Sequence, residues 1–302
     1  VFLAAARSIV VITLLASGIA CGGATRDRAS SGGSAAVAVD DLGDTVRVGA
    51  PAQRIVSLSP VTTEALFALG AGPRLVGRTH WDTYPEAARA VPDLGNGMQP
   101  NVEAILGARP DLVVIYASEG NRSAARQLRA AGIATISIRT DHIADLRRVL
   151  TWLGRAVGDT VAARVVADSV ERSIAEVRAL PRPARAPTVF WHIWDRPLMT
   201  VGRGSFLHEL VEAAGAVNIF GDRPLAAPQV TMEDLVARDP DLVVAGPTTA
   251  KEIVASPLWR AVRAVREGRV RVIDTTLVGR PGVRMGEAAH HLRTLLVDTT
   301  GR

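Results

Sequence analysis

Apolar positions change period along the chain. From Asp159 to Leu180 (DTVAARVVADSVERSIAEVRAL), Val161, Val165, Val170, Ile174 and Val177 recur at helical spacing. No glycine or proline interrupts this stretch, and Pro181 and Pro183 stop it. Arg164–Asp168, Asp168–Arg172 and Arg172–Glu176 are opposite charges four residues apart, each supporting a helix by about 0.2–0.5 kcal/mol. At about 1.5 Å per residue the predicted helix spans roughly 33 Å, the width of a small domain. On either side, short apolar runs bounded by turn residues alternate with amphipathic segments, the pattern of strands and helices in turn.

Taken in order, residues 37–48 alternate around Asp40–Asp44 and predict an opening hairpin. A buried strand follows at Ile55–Leu58. A helix capped by Thr62 or Thr63, with Glu64 in its first turn, runs to Leu69 and ends at Gly70 and Gly72. Leu75–Gly77 reads as a strand that leads into a loop with Trp81, Asp82, Tyr84 and Pro85. A helix starts at Asn101, a strand covers Leu112–Tyr116, a helix Ser123–Ala131 and a strand Ile133–Ile138. A further helix, opening at Asp141 and running through Trp152, precedes the long one. Beyond it come a strand at Thr188–Ile193, a helix from Gly204-Ser205-Phe206 to near Gly215, and a helix opened by residues 230–233. A strand at Leu242–Ala245, a helix at Leu258–Val265, a strand at Val270–Ile273 and a closing helix at Arg284–Leu296 complete the chain.

Two of these stretches repeat. NVEAILGARPDLVVI, from Asn101, and TMEDLVARDPDLVVA, from Thr231, align without a gap. Glu103 then matches Glu233, Pro110 matches Pro240 and Asp111 matches Asp241. The predicted fold class is α/β: two similar α/β sandwich lobes with mainly parallel sheets, bridged by one long α-helix. The expected boundaries are an N-terminal lobe at 37–140, a helical linker at 141–184 and a C-terminal lobe at 185–302.

Composition narrows the picture. A chain of 302 residues, 48% hydrophobic, can build two medium domains. The net charge of +5 comes almost wholly from scattered arginines, since Lys251 is the only lysine. No basic block with interleaved aromatics occurs, so nucleic acid is not an expected partner. Cys21 is the only cysteine, which excludes an intramolecular disulfide and a cysteine-based structural zinc site. Arg7 followed by the apolar run Ile9–Ala20 fits a signal peptide over residues 1–20. Gly18-Ile19-Ala20-Cys21 resembles a bacterial lipobox, with Gly where Leu is usual at its first position. Cys21 is therefore the expected lipidation site, and residues 21–36, rich in Gly and Ser, read as a flexible tether. The expected location is the periplasm or cell envelope, anchored to the membrane by lipid.

RIVSLSPVTTEALFALGAGPRLVG, W-D-T-Y-P, N-V-E-A-I and P-D-L-V-V in the first half resemble the cobalamin/ferric-siderophore class of ABC-importer substrate-binding proteins. PLMTVGRGSFLHELVEAAGAVNIF, PQVTMEDL, SPLW and RPGVRMGEAA continue the resemblance to the C-terminus, and the cobalamin-binding subgroup is the most similar. The resemblance implies two lobes bridged by one helix, with the ligand between them. It implies docking on an inner-membrane ABC permease, with its ATPase subunits, through one glutamate per lobe, here Glu103 and Glu233. Either glutamate alone is also explained by the helix dipole, which favours an acid in a first turn. The resemblance further implies an aromatic ligand contact at Trp81.

The other candidates come from residue chemistry. Trp191 and Trp194 follow a strand of the second lobe, and large planar side chains at a lobe interface suit a bulky ring ligand. Alternation puts Trp191 and His192 on opposite faces, so only one of them is expected to line the cleft. His80 and His192 are candidates to ligate a metal centre or bond a ligand's rim, or to be structural. Arg203 and Arg280 are candidates to pair with ligand carboxylates. Trp152 and Trp259 read as core, and His290 and His291 as solvated. Where the cobalamin subgroup has an aromatic before Pro228-Gln229, Ala227 stands. No G-x-S-x-G, H-E-x-x-H or phosphate-binding glycine loop appears, so the chain is not expected to be an enzyme. The expectation is a monomer with no resident cofactor and no metal of its own, carrying a corrinoid such as cobalamin. A ferric siderophore or haem is the alternative cargo; a chelatase-like enzyme or a bare-metal receptor stands further off.

Overall fold

A computed structural model describes residues 36–298. The expected signal peptide, Cys21 and all but the last residue of the tether lie outside the described residues. The chain opens with β1 (Ala36–Val39) and β2 (Thr45–Val48), an antiparallel hairpin as predicted. Its turn is organised by Asp40, whose Oδ1 accepts from the backbone N–H of Leu42 and of Asp44, both at 3.0 Å.

The first lobe contains β3 (Ile55–Ser57), α1 (Pro60–Ala68), β4 (Leu75–Gly77), α2 (Val102–Gly107), β5 (Leu112–Tyr116), α3 (Arg122–Ala130) and β6 (Ala134–Ile138). Its four strands pair in the order β4-β3-β5-β6, all parallel. Helix α1 begins at Pro60, earlier than expected. Ser59, not a threonine, occupies the cap position, and Glu64 falls in the second turn. Thr62 and Thr63 are buried and bond elsewhere, Thr62 to the Ser59 carbonyl and Thr63 to Asp82.

Two helices follow, α4 (Asp145–Val157) and α5 (Thr160–Ala179). The long helix therefore forms, capped by Asp159, whose side chain accepts from the Ala162 N–H at 2.8 Å. Its buried face differs from the predicted one. Ala163, Ala167, Val170, Ile174 and Val177 are buried, whereas Val161 and Val165 are 65% and 62% exposed. Val165 and Val170 are five residues apart, which rotates them about 140° from each other, so they cannot share a stripe. Alanines fill that stripe because α4 approaches closely: a Cβ on Gly154 would lie 2.5 Å from the Ala163 Cβ. The charges differ as well. Asp168 and Glu171 both pair with Arg147 of α4, at 2.6 and 2.5 Å, and so tie the two helices together.

The second lobe contains β7 (Thr188–Asp195), β8 (Leu198–Thr200), α6 (Phe206–Ala214), β9 (Val217–Asn218), α7 (Met232–Arg238), β10 (Leu242–Ala245), α8 (Pro247–Ala255), α9 (Arg263–Arg266), β11 (Val270–Val272), α10 (Thr275–Val278) and α11 (Met285–Arg293). Strands β11, β10 and β7 pair in parallel, β8 returns antiparallel on β7, and β9 adds a short parallel pair at its start. The stretch expected as one helix at Leu258–Val265 is a 3-10 turn followed by α9. The closing helix ends in a π turn at Thr294–Asp298.

Alternation along the strands explains the layers. Ile55, Leu112, Val114, Val189, Trp191, Leu242 and Val244 face one core that runs along α4, α5 and α11 through both lobes. Val56, Val113 and Ile115 face a second core under α2 and α3, and Phe190, Val243 and Ala245 a third under α7 and α8. Each sheet is thus covered on both faces, as a parallel sheet requires. Helix α11 crosses α5 where a Cβ on Gly286 would lie 2.5 Å from Ser173. Helix α5 is gripped by α4 of one side and α11 of the other.

The repeat holds down to single bonds. Asn101 and Thr231 each accept from the N–H three residues on, at 3.0 and 3.1 Å. Arg109 and Asp239, at matching positions, are the only non-glycine residues with positive φ among the described residues (48° and 45°). Asp111 accepts from the Gln53 and Arg54 N–H groups at the entry to β3, and Asp241 from the Thr188 N–H at the entry to β7. Each aspartate clamps the strand that precedes its own in the sheet.

Candidate functional site

The carboxyl ends of parallel strands are where open α/β sheets receive ligands. In the first lobe those ends surround a cavity of about 380 Å³ whose walls include Leu58, Pro60, Trp81, Asn96, Met98 and Tyr116. Leu58 follows β3, Tyr116 ends β5, and Trp81 stands in the loop after β4. Trp81 and Met98 are 58% and 59% exposed, large apolar groups presented to solvent. The exposed His80 ring lies beside Trp81 with centroids 4.5 Å apart and the ring planes tilted by 55°.

The loop carrying Trp81 is held from within its lobe by Asp82, which is fully buried. The Asp82 carboxylate accepts from the Thr63 hydroxyl at 2.6 Å, the Thr79 hydroxyl at 2.5 Å and the Thr79 N–H at 3.2 Å. Burial nevertheless pushes its pKa above the ordinary carboxylate range. Tyr116 donates to Asp141 at 2.6 Å, and burial together with that carboxylate pushes its pKa up to about 12. Its phenol therefore stays protonated and committed to Asp141, which makes it a wall of the cavity rather than an anionic ligand donor.

From the second lobe, Arg280 reaches across. It lies just beyond β11 and α10, and its Nη2 donates to the Trp81 carbonyl at 2.6 Å. The segment after α10 in the second lobe thus meets the loop after β4 in the first. Arg280 Nη1 also lies 3.3 Å from Glu64 Oε1, in α1, and Arg284 Nε lies 3.4 Å from Glu64 Oε2. Arg280, a candidate to pair with a ligand carboxylate, has its guanidinium engaged by Glu64 and by a backbone carbonyl.

Trp194 is 62% exposed at the carboxyl end of β7, its indole N–H donating to the Arg196 carbonyl at 3.1 Å. Trp191 does not line a cleft. At 4% exposure it packs in the core along α5, because its strand position shares the face of Val189. His192, on the other face, is buried against Trp259 and bonds Asp195 at 2.9 Å, a structural arrangement. Trp152 and Trp259 are core. His290 is exposed, whereas His291 is half-buried rather than solvated. Arg203 is exposed, in a turn whose backbone bonds to Arg223 and Ala226. Glu103 and Glu233 are exposed at equivalent positions in the first turns of α2 and α7.

Sequence reasoning missed Met98, Asn96 and Tyr116 of the cavity, and the Glu64–Arg280–Arg284 contact. Met98 carried a signal, an unpaired apolar residue in a Gly- and Pro-rich loop; the contact carried none. No group of three or more His, Cys, Asp or Glu side chains able to hold a metal ion occurs among the described residues. No helix among them is long and apolar enough to cross a membrane.

Known proteins are similar to this chain in sequence and in fold. The ABC transporter substrate-binding lipoprotein YvrC of Bacillus subtilis is 29% identical over 87% of this chain and 86% of its own length. A cobalamin-binding protein of Halobacterium salinarum is 32% identical over 82% of this chain and 70% of its own. The apo periplasmic heme-binding protein RhuT of Roseiflexus sp. RS-1 superposes with a TM-score of 0.74 at 26% identity, over 82% of this chain and 98% of that one. Two lobes on one helical spine, with an aromatic-walled cavity at the strand ends of the first lobe, fit the match of residues 55–277 to one family: the chain belongs to the periplasmic binding proteins.

Proposed function

We propose that this protein is the lipid-anchored, extracytoplasmic receptor of an ABC importer, holding a large metal chelate between its lobes. The chelate class is a corrinoid such as cobalamin, delivered to a permease and its ATPase subunits by a monomeric receptor. The observation that carries this reading is the cavity under the exposed Trp81, whose walls are apolar and carry no free charge. The nearby cations, Arg280 and Arg284, are occupied by Glu64. A corrinoid presents a broad face and a rim of uncharged amides, which such a site accommodates without stranding a charge. Haem, whose carboxylates call for partners, is the second reading, supported by the likeness to RhuT. The lipid anchor rests on Cys21 and is supported by the lipoprotein relative.

Quenching of tryptophan fluorescence by cyanocobalamin, haemin and a ferric siderophore, titrated in parallel, tests the ligand. Saturable quenching by cyanocobalamin at the lowest concentration supports the corrinoid. Tighter haemin or siderophore binding replaces it within the class. Binding of none of the three, with binding of Zn²⁺ alone, rejects the chelate reading.

The permease contact is assigned to Glu103 and Glu233. Their matched exposure and matched caps present one acid per lobe, and such charges steer encounter more than they add affinity. The double variant Glu103→Arg/Glu233→Arg is expected to bind ligand in solution as before and to lose uptake in a complemented strain. Retained uptake removes the docking role.

A further inference from the structure

Glu64 is the one carboxylate of α1, and its side chain is 1% exposed. Both of its oxygens are directed at the opposite lobe. Besides the contacts to Arg280 Nη1 and Arg284 Nε, Arg284 Nη2 lies 3.5 Å from Oε1. Each arginine has a second anchor. Arg280 holds the Trp81 carbonyl. Arg284 donates to the Thr276 carbonyl at 2.6 Å, and its guanidinium covers the Tyr84 ring at 3.8 Å. Between the two arginines the chain runs tight against α1: a Cβ on Gly282 would lie 3.2 Å from Glu64 Oε2 and 4.0 Å from the Val61 Cα.

The charges cannot be separated cheaply. Burial pushes the Glu64 carboxyl up, and Arg284 and Arg280 offset this only in part, so its pKa stays above the ordinary value even with both cations in place. Moving the lobes apart would strand this carboxylate in α1 without its cations, the costly way to break a buried pair. The three contacts of 3.3–3.5 Å to Glu64 are long for charged hydrogen bonds, so the attraction acts as a charge triad more than as ideal bonding. The same triad fixes the ligand loop. Residues 79–85 are tied to the first lobe by Asp82 and to the second by Arg280 at Trp81 and Arg284 at Tyr84.

We propose that Glu64, Arg280 and Arg284 form an inter-lobe clasp that sets the width of the cleft and holds the Trp81–Tyr84 loop in register for the ligand. Glu64 and Arg280 are positioning residues; the ligand meets the aromatic groups they hold. The clasp goes beyond the proposed function and stands on contacts within the chain, whichever chelate is carried.

Hydrogen exchange followed by mass spectrometry on the ligand-free protein tests it, with variants Glu64→Gln, Arg280→Met, Arg280→Lys and Glu64→Gln/Arg280→Met. In Glu64→Gln and Arg280→Met, residues 79–85 and 279–284 are expected to exchange about tenfold faster, the effect of losing one charge-assisted hydrogen bond. The double variant adds little to either single one, because all three side chains belong to one network. Arg280→Lys, which keeps the charge but not the fork, falls between. Arg280→Met removes a side chain that is only partly buried and carries the test if Glu64→Gln does not fold. Unchanged exchange at residues 79–85 in folded Arg280→Met overturns the clasp. So does faster exchange that extends equally to β5 and β10, which marks a general loss of stability.

Discussion

Replacing Trp81 separates a ligand platform from a merely exposed aromatic. A tryptophan side chain offers up to about 250 Å² for burial, and Trp81 is 58% exposed, which leaves roughly 145 Å² open. A flat chelate covers one face, about half of that area, or roughly 70 Å². At about 25 cal/mol per Å² this is worth about 1.8 kcal/mol, and offset stacking adds about 0.5–1.5 kcal/mol. Trp81→Ala is therefore expected to weaken binding by about 2–3 kcal/mol, roughly 30- to 150-fold in Kd. Trp81→Phe keeps a planar face and should lose less than about tenfold. Trp191→Phe is the control: with its ring in the core along α5, the variant should lower Tm and leave Kd in place. Isothermal titration calorimetry with the chelate that quenches the wild type reads all three without relying on the mutated fluorophore. A Trp81→Ala Kd within twofold of wild type, or a Trp191→Phe Kd shifted as far as that of Trp81→Ala, refutes the assignment of Trp81 as the platform.

Three further outcomes follow from the scaffold. Gly154→Val puts a branched side chain where even a Cβ would meet Ala163 at 2.5 Å and the Asp159 carbonyl at 2.9 Å; overpacking of about 1–3 kcal/mol should lower Tm by roughly 3–10 °C in calorimetry. Arg109→Gly relieves a left-handed residue at φ 48° with an exposed side chain and should raise Tm by about 2–4 °C, while Asp239→Gly gains less because it gives up the pair with Arg263. His142 bonds Glu209 at 2.6 Å, and that bond, opposed by burial and helped by the charges of Glu209, Asp145 and Asp141, raises its pKa above 6.5. The sign is that of a cation gaining a partner: the stabilisation is fully present below pH 6.5 and is lost as pH rises through the raised value. With a half-exposed pair the loss should be about 1–3 °C in Tm, and a Tm–pH profile of His142→Gln lacking that decline confirms its source.

What the chain betrayed in advance was local. The helix-to-strand unit of the repeat is written in adjacent residues, a cap, a stripe, a Pro-Asp and an apolar run, and it appears in the fold with caps and a left-handed residue at matching positions. Strand alternation also carried through: placing Trp191 and His192 on opposite faces was right, and the structure decides that both faces are interior. The buried stripe of α5 was misread because valines outrank alanines in any reading by hydrophobicity, whereas close packing against Gly154 rewards the smaller side chain. Met98 and Tyr116 escaped because they come to the cavity from separate places, the loop before α2 and the end of β5, and nothing in a linear pattern marks the two as neighbours in space.

The inter-lobe contact is the harder case, and it shows which information a sequence withholds. Glu64 and Arg280 are 216 residues apart, and nothing periodic joins them. Glu64 looked like an ordinary helix-dipole acid because a cap at Thr62 or Thr63 starts α1 three or four residues too late; begun at Pro60, the helix carries Glu64 in its second turn, where the dipole no longer explains it. Arg280 read as a candidate for a ligand carboxylate because no acid near it in sequence claims it. The spine gripped by α4 and α11 limits how far the lobes can swing, and only then do a buried acid on one lobe and two arginines on the other become neighbours by construction. A helix boundary shifted by three or four residues thus decides whether a carboxylate reads as a first-turn acid or as the charge that the opposite lobe must neutralise.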